Sequence, residues 1–185
     1  MTTRWRPAFD PDHLYFVTTK AAEHKHLFRS DAIKRIVLDT LYTTTLMTQS
    51  QLYAFVVMPN HIHVLIQCAP EYELDDWART LKSMAARLIV RHYQVERNDK
   101  VLAWMASQVT RPDKQRYKVW EDSYLPKSVI SAEFMLQKLR YIHENPVRFR
   151  VPLVESPAAY AWSSAAFYED GPCLIPVTNV YTLLG

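Results

Sequence analysis

One short segment, residues 58–66, constrains the fold more than any other part of the sequence. It follows the apolar run 53–57, whose β-branched and aromatic residues favour a strand. Pro59 has a fixed φ and Asn60 tolerates unusual backbone angles, so the pair predicts a tight turn. A second strand is expected directly after this turn, which gives a hairpin of two buried strands.

The second strand of this hairpin begins with His61 and His63. Because side chains alternate between the two faces of a strand, both imidazoles are expected on one face and Ile62 on the other. At a separation of about 7 Å, two imidazoles can converge on one metal ion. Spacing alone leaves two interpretations open, a metal or phosphate site and a pair of structural histidines.

Sequence periodicity predicts the elements around this hairpin. A strand is expected at 14–19, followed by a helix that Ser30 caps and that threonines 43–45 weaken at its end. A second helix is expected over about 74–93. A fourth strand is expected at 117–121, with Val129 near its end or in the next turn. The pattern does not decide whether 101–106 is a helix or a loop. The order predicts an α+β, ferredoxin-like βαββαβ fold, an antiparallel sheet with two helices on one face. The other face is then free to hold a site.

A further helix is expected from Ser131 to about Asn145. Ser131 can cap it, and its inward stripe consists of Met135, Leu139 and Ile142. Tyr141 lies nearly opposite this stripe, one turn before Asn145, while His143 points away from Tyr141 and is interpreted as structural. Pro146 disfavours helical geometry at Asn145, which is expected to end the helix. Without further information, Tyr141 could equally be an ordinary surface residue.

Composition bounds the class of protein. A chain of 185 residues fits one domain with a real core. Cys68 and Cys173 lack metal-site spacing and indicate a reducing, cytoplasmic setting. Neither a signal peptide nor a membrane span is expected.

Positive charge is concentrated in one part of the chain. Ten basic and three acidic residues lie between Arg79 and Lys118, a local net charge of +7 against +3 for the whole chain. Such a concentration is typical of polyanion binding, although a solvated helix face explains it equally well. Trp5 and Trp104 are candidates for stacking on unpaired bases, with packing as the alternative.

Two motifs resemble a known family. Met58-Pro-Asn-His61-Ile-His63 resembles the His-hydrophobe-His (HUH) motif of the single-tyrosine HUH nucleases. Tyr141-Ile-His-Glu-Asn145-Pro-Val-Arg148, followed by Pro157-x-x-Tyr160-x-Trp162-Ser-Ser164, resembles the C-terminal signature of REP-associated tyrosine transposases, relatives of insertion-sequence transposases. The resemblance spans about residues 15–168. It implies one domain over 1–185, with a core of about 13–148, a C-terminal catalytic helix and an extension at 149–185.

The resemblance also implies a chemistry. His61, His63 and Asn145 would bind a divalent metal, Mg²⁺ or Mn²⁺, and Tyr141 would be the nucleophile. The reaction would be cleavage of single-stranded DNA beside a hairpin, a REP-like palindrome, through a 5′-phosphotyrosine that can be rejoined. Candidate phosphate contacts are Lys82, Arg87, Arg91 and Arg148. The resemblance favours a monomer, with a dimer as the alternative, associated with the nucleoid in the cytoplasm.

The chain departs from the family after Arg148. Family members commonly continue there with a small residue, a Gly and an aliphatic, whereas this chain has Phe149-Arg150-Val151-Pro152. The turn after the helix is therefore expected to be built differently, although every proposed catalytic residue is present. One alternative is a domesticated protein that binds such palindromes without cutting them. Another, an RNA-binding module, is disfavoured because the aromatic RNP pattern is missing.

Overall fold

The computed structural model describes residues 14–148 and 151–184. Predictions that concern Trp5, Phe149 or Arg150 lie outside these ranges. The strands are β1 (Leu14–Lys20), β2 (Gln51–Val57), β3 (His61–Gln67) and β4 (Leu125–Val129). The α-helices are α1 (Asp31–Met47), α2 (Leu74–Val95), α3 (Asp99–Ser107) and α4 (Ala132–Glu144). Short 3₁₀ helices occur at Ala22–His24, Asn145–Val147, Pro157–Ala159, Ala166–Glu169 and Val180–Leu184.

The four strands form one antiparallel sheet in the order β2-β3-β1-β4. This order is that of the ferredoxin-like βαββαβ fold and confirms the predicted fold class. The predicted turn joins β2 to β3, and the Met58 backbone N–H closes it with a 2.8 Å bond to the His61 carbonyl. The hairpin therefore fixes which side chains of β3 face each side of the sheet.

Helices α1 and α2 pack together on one face of the sheet, as predicted. Their apolar stripes meet alternate strand residues in one core cluster, which includes Tyr15, Val17, Val64, Trp77 and Leu81. Ser30 caps α1 by accepting the Ile33 N–H. The threonines do not end this helix at 43–45, and it continues to Met47. The Thr45 hydroxyl donates to the Leu41 carbonyl four residues earlier at 2.8 Å.

The opposite face of the sheet is covered by α4. Phe16 and Leu65 of the sheet pack against Met135, Leu139 and Ile142 of α4 in a second cluster. The prediction of a free face is therefore corrected, because the apolar stripe of α4 needs a surface to cover. The face that contains the histidines is an interface between the sheet and α4.

The fourth strand lies later in the chain than predicted. Residues 117–121 form no strand, and only Trp120 makes an isolated bridge, to Ala21. The fourth strand of the sheet is instead β4, which pairs with β1 on the side away from β3 and contains Pro126. A proline argues against a strand in general, but β4 is an edge strand and can lack one N–H.

The region between α2 and β4 contains a helix that the sequence left undecided. Asn98 caps α3 by accepting the Val101 N–H, so the apolar patch 101–106 is helical. Helix α2 extends two residues beyond its predicted end at Tyr93, to Val95. No helix in the described ranges is long and apolar enough to cross a bilayer.

The C-terminal segment follows the outer edge of β2. The Val57 N–H donates to the Trp162 carbonyl at 2.8 Å, and the Ser164 N–H donates to Phe55 at 3.0 Å. Further along, the Thr178 N–H donates to the Leu52 carbonyl at 2.8 Å. Leu52 is paired with Ile66, at the end of β3 remote from His61. The tail over 178–184 therefore lies away from the histidines.

Candidate active site

The hairpin places both histidines at the α4 face of the sheet. His61 is the first residue of β3 and is half-buried, while the His63 residue is only 4 % exposed. Their ring centroids are 4.6 Å apart. The predicted alternation is therefore observed, and the two imidazoles are close enough to share one ligand.

Neighbouring side chains fix the orientation of both rings. Asn60 donates its amide N–H to the His24 carbonyl, so its Oδ1 faces Nδ1 of His61 at 2.7 Å. A carbonyl oxygen can only accept, so Nδ1 carries the proton and the lone pair is on Nε2. Nδ1 of His63 is bonded to Thr18 Oγ1 at 2.7 Å, and Nε2 of His63 is buried and has no partner among the residues that the structure describes.

Helix α4 brings Tyr141 against this pair. The Tyr141 ring is half-buried, and its centroid lies 5.2 Å from that of His63, edge to face. Phe16 stacks on His63 at 5.2 Å and meets Tyr141 edge-on at 5.8 Å. The tyrosine is thus held beside the histidines and is not an ordinary surface residue.

Asn145 follows α4 and is buried, with 8 % exposure. Its side chain interacts with the His61 ring and acts to raise the pKa of that imidazole. Its backbone keeps helical angles, φ −52° and ψ −43°, which corrects the prediction that Pro146 would move it out of the helical region. The chain continues into a 3₁₀ turn in which Pro146 occupies a first-turn position that needs no N–H. Asn145 therefore stays one turn below Tyr141.

Burial sets the charge of the imidazoles. The pKa of His61 is lowered to about 4, chiefly by burial; the Asn145 side chain opposes this shift and the charge of Lys20 adds to it. Burial also lowers the pKa of His63 to about 2, with the charge of His61 as the next cause. Both rings are neutral at pH 7, which is the form that binds metals.

The donor set fits a divalent metal. Two neutral imidazoles present Nε2 atoms, one of them an orphaned buried nitrogen, and an amide side chain contacts His61. The bonds from Nδ1 to Thr18 and Asn60 are the outer partners that metal-binding histidines usually have. In the described ranges no group of three or more His, Cys, Asp or Glu could hold a metal, so a ligand set here would need the Asn145 amide.

Two of the basic side chains near Tyr141 belong to α4 and its end. The Lys138 ammonium lies 5.7 Å from the Tyr141 ring centroid, and the Arg148 guanidinium lies 5.4 Å from it. Arg148 is also paired with Glu144 at 2.5 Å. Of the predicted phosphate contacts, Arg148 is the one that the structure brings to the site.

The other predicted phosphate contacts are on α2, across the sheet from Tyr141. Lys82 donates to the backbone carbonyls of Glu121 and Asp122 at 2.6 and 3.2 Å. Arg87 and Arg91 are exposed on the same helix. Trp104 is half-buried in the α1–α2 core, under Lys25 at 5.5 Å. The structure does not bring these residues together with the histidines.

Sequence reasoning missed four residues of the site. Phe16, Thr18 and Lys20 alternate along β1, and the period of two could have shown that they share one face. Lys138 lies one turn before Tyr141 on the same helical face. What the sequence did not show is the register between β1 and β3, which places Thr18 opposite His63. His143 is buried as predicted, and its Nε2 is 3.0 Å from Ser164 Oγ.

Comparisons with known proteins agree with this architecture. The fold and the matches define the chain as a transposase, a class of DNA-processing proteins. More particularly, the chain belongs to the IS200-like transposase family, whose family model matches residues 12–145. This confirms the resemblance to insertion-sequence transposases that the two motifs indicated.

Two solved structures are similar to this chain. One is a REP-associated tyrosine transposase bound to a REP hairpin, with a TM-score of 0.61, 16 % identity, and coverage of 91 % of this chain and 85 % of that chain. The other is a transposase-like protein from Deinococcus radiodurans R1, with a TM-score of 0.48, 19 % identity, and coverage of 78 % and 97 %. A search of curated proteins found no match.

Proposed function

We propose that this chain is a metal-dependent endonuclease and strand transferase for single-stranded DNA beside a hairpin. The observation that carries the proposal is the convergence of His61, His63, Tyr141 and Asn145. The His63 ring lies 5.2 Å from the Tyr141 ring and 4.6 Å from the His61 ring, and the Asn145 side chain interacts with His61. A tyrosine, two imidazoles and an amide at one place are the groups that phosphodiester transfer needs.

Tyr141 is the proposed nucleophile. Its Oη attacks the phosphorus, the bond from phosphorus to the 3′ oxygen breaks, and a 5′-phosphotyrosine and a 3′-hydroxyl result. The hydroxyl proton of Tyr141 is released and the departing 3′ oxygen takes one up, so the step is balanced. Rejoining is the reverse attack by a 3′-hydroxyl, and it needs no ATP because the phosphotyrosine retains a phosphate ester.

His61, His63 and Asn145 are the proposed metal ligands. When bound, Mg²⁺ or Mn²⁺ would act as a Lewis acid toward a non-bridging oxygen of the scissile phosphate. Three protein ligands leave positions for that phosphate. Asn60 and Thr18 hold the two imidazoles in the orientation that keeps their Nε2 atoms available.

Hairpin DNA is the proposed partner. It is supported by the C-terminal motif and by the similar fold of a REP-associated transposase that was solved with a REP hairpin. We also propose that the chain acts at the nucleoid as a single-domain monomer. What supports a monomer is that residues 162–164 and 178 already occupy the outer edge of β2, so this edge is closed to a second chain.

Covalent trapping tests the proposed function. The protein is incubated with labelled single-stranded hairpin DNA and Mg²⁺ or Mn²⁺, and an adduct that survives denaturation is sought. We expect an adduct that requires metal, disappears in Tyr141→Phe and falls to background in His63→Ala. Matched controls are Tyr181→Phe, an exposed tyrosine of the C-terminal segment, and His92→Ala on α2, both of which should form the adduct normally.

Other possible results of the trapping experiment distinguish the proposed function from its alternatives. An adduct that survives in Tyr141→Phe would contradict the assignment of the nucleophile. Tight hairpin binding without an adduct under either metal would show a domesticated binder that no longer cuts. An adduct that forms equally in the presence of a chelator would contradict the metal dependence.

A further inference from the structure

Three lysines gather on the α4 face of the sheet around the candidate site. Lys20 is directly across from His61 in the pairing of β1 with β3, and Lys127 is across from Phe16 in the pairing of β1 with β4. Cross-strand neighbours share a face, so these lysines belong to the face that contains His63. Lys138 extends from α4 above them. We call Lys20, Lys127 and Lys138 the lysine cluster.

Lys138 is held in place by aromatic rings. Its ammonium lies 5.1 Å from the centroid of Phe16, 4.6 Å from that of Phe134 and 5.7 Å from that of Tyr141. Phe16 and Tyr141 are the same rings that pack against His63. The positive charge is therefore fixed beside the proposed nucleophile.

The lysine cluster lacks acidic partners among the residues that the structure describes. None of its three lysines forms an ion pair with an acidic residue of the ranges 14–148 and 151–184, whereas Lys34, Arg79, Lys118 and Arg148 all do. Burial lowers the pKa of Lys138, and the charge of Lys127 lowers it further. Lys20 and Lys138 both lower the pKa of His63. Like charges that have no acidic partner among the described residues form a site for an anion.

We propose that the lysine cluster binds backbone phosphates of the DNA strand that is cut, next to the scissile bond. The path of the strand then crosses the α4 face, over β1 and β4, and does not follow α2. Lys138 in addition faces the charge that develops on the Tyr141 oxygen and on the phosphate during transfer. This inference rests on the proposed function, because it names how the substrate of that same site is held.

Binding measured without cleavage tests the inference. The experiment uses Tyr141→Phe protein, a labelled oligothymidylate, and fluorescence anisotropy over a series of salt concentrations. We expect Lys127→Ala and Lys138→Ala each to weaken binding about two- to fivefold. Each should also lower the slope of log K against log salt by about 0.7, the value for one lost phosphate contact on a single strand. Lys138→Arg should retain most of the affinity.

The matched control is the double variant Arg87→Ala/Arg91→Ala on α2, which removes the same charge as Lys127→Ala/Lys138→Ala. Unchanged affinity and salt slope in the lysine double variant would overturn the inference, as would an equal or larger loss in the α2 double variant. Urea unfolding shows whether each variant is folded. Failure of the proposed function is seen separately, as the absence of a covalent adduct from the wild-type protein.

Discussion

At the residue scale, two small polar side chains determine what the histidines can do. Thr18 is hydrogen-bonded to Nδ1 of His63, and Asn60 is hydrogen-bonded to Nδ1 of His61, at 2.7 Å in both cases. Without them the rings could turn or take the other tautomer, and their Nε2 atoms would no longer face α4. The sequence motif identifies His61 and His63 but not these partners, because Thr18 is 45 residues away and meets His63 only through strand pairing.

Thr18→Val is expected to weaken metal binding while the fold is maintained. Valine keeps the shape of threonine and removes the bond to His63 Nδ1, and loss of such an outer partner typically costs about 10- to 100-fold in metal affinity. Titration with Mn²⁺, followed by calorimetry or electron paramagnetic resonance, measures the change.

Thr19→Val is the matched control for this prediction. Thr19 is the next residue on β1 and points to the opposite face, where its hydroxyl is buried without a partner. Its replacement should leave Mn²⁺ affinity unchanged and should not lower stability. Equal Mn²⁺ affinities for Thr18→Val and the wild-type protein would show that the Thr18 bond is unimportant.

At the element scale, α4 is fastened to the sheet through the C-terminal segment. Ser164 Oγ accepts the Phe55 N–H at 3.0 Å and lies 3.0 Å from His143 Nε2. One buried hydroxyl therefore connects β2, α4 and the segment that follows α4. Tyr141 is on α4 and the histidines are on β3, so this connection helps set the distance between the proposed nucleophile and the proposed metal ligands.

Ser164→Ala is expected to lower the free energy of unfolding by about 1–3 kcal/mol, because buried polar groups at Phe55 and His143 lose a partner. Urea unfolding measures the change, and covalent trapping should show a weaker adduct. Ser156→Ala is the control, since Ser156 is exposed and its side chain makes no capping bond. Its effect should stay within about 0.5 kcal/mol. Equal stabilities of the two variants would refute the prediction.

The sequence correctly predicts the elements that depend on residues close together in the chain. The hairpin around Pro59, the caps at Ser30 and Ser131, and the stripe of α4 depend on neighbours in sequence, and the structure agrees with them. The predicted position of the fourth strand is wrong because β4 contains a proline, which a strand tolerates only at the edge of a sheet. Whether a strand lies at an edge depends on the tertiary structure and cannot be read from local sequence. The basic residues of α2 lie across the sheet from the histidines, and their contact with DNA stays a prediction.

At the scale of the whole molecule, several tyrosines hold the C-terminal segment to the sheet by their hydroxyls. Tyr160 donates to the Val57 carbonyl at 2.9 Å, and Tyr168 donates to the Tyr53 carbonyl at 2.8 Å while it accepts the Val180 N–H. These bonds join parts of the chain more than 100 residues apart in two cases. The attachment therefore depends on neutral, protonated tyrosines.

Stability is expected to fall at alkaline pH for this reason. Burial raises the pKa of Tyr168 to about 12 and also raises the pKa of Tyr160 above its ordinary value. The unfolded chain releases these protons near pH 10, about the ordinary tyrosine pKa. The contribution to stability is thus complete below about pH 10 and declines as the pH rises toward 12.

Urea midpoints measured across this alkaline range check the prediction. The midpoint should decline with pH in the wild-type protein and decline less steeply in Tyr168→Phe, which has one ionisable hydroxyl fewer. Tyr72→Phe, a change in the loop before α2, should follow the wild-type curve. A midpoint that does not change between pH 9 and pH 11 would contradict the role given to the buried tyrosines.

The C-terminal segment along the outer edge of β2 also affects the order in which parts of the chain fold during synthesis. The hairpin with both histidines is complete once residue 67 has been made, but Phe55 pairs with a residue 109 positions later. Contacts that close so long a loop form late, and chains fold from the N-terminus as they emerge from the ribosome. A nascent chain therefore has its histidines in place well before the tyrosine helix is secured, and the proposed site is complete only after residue 164 has been made.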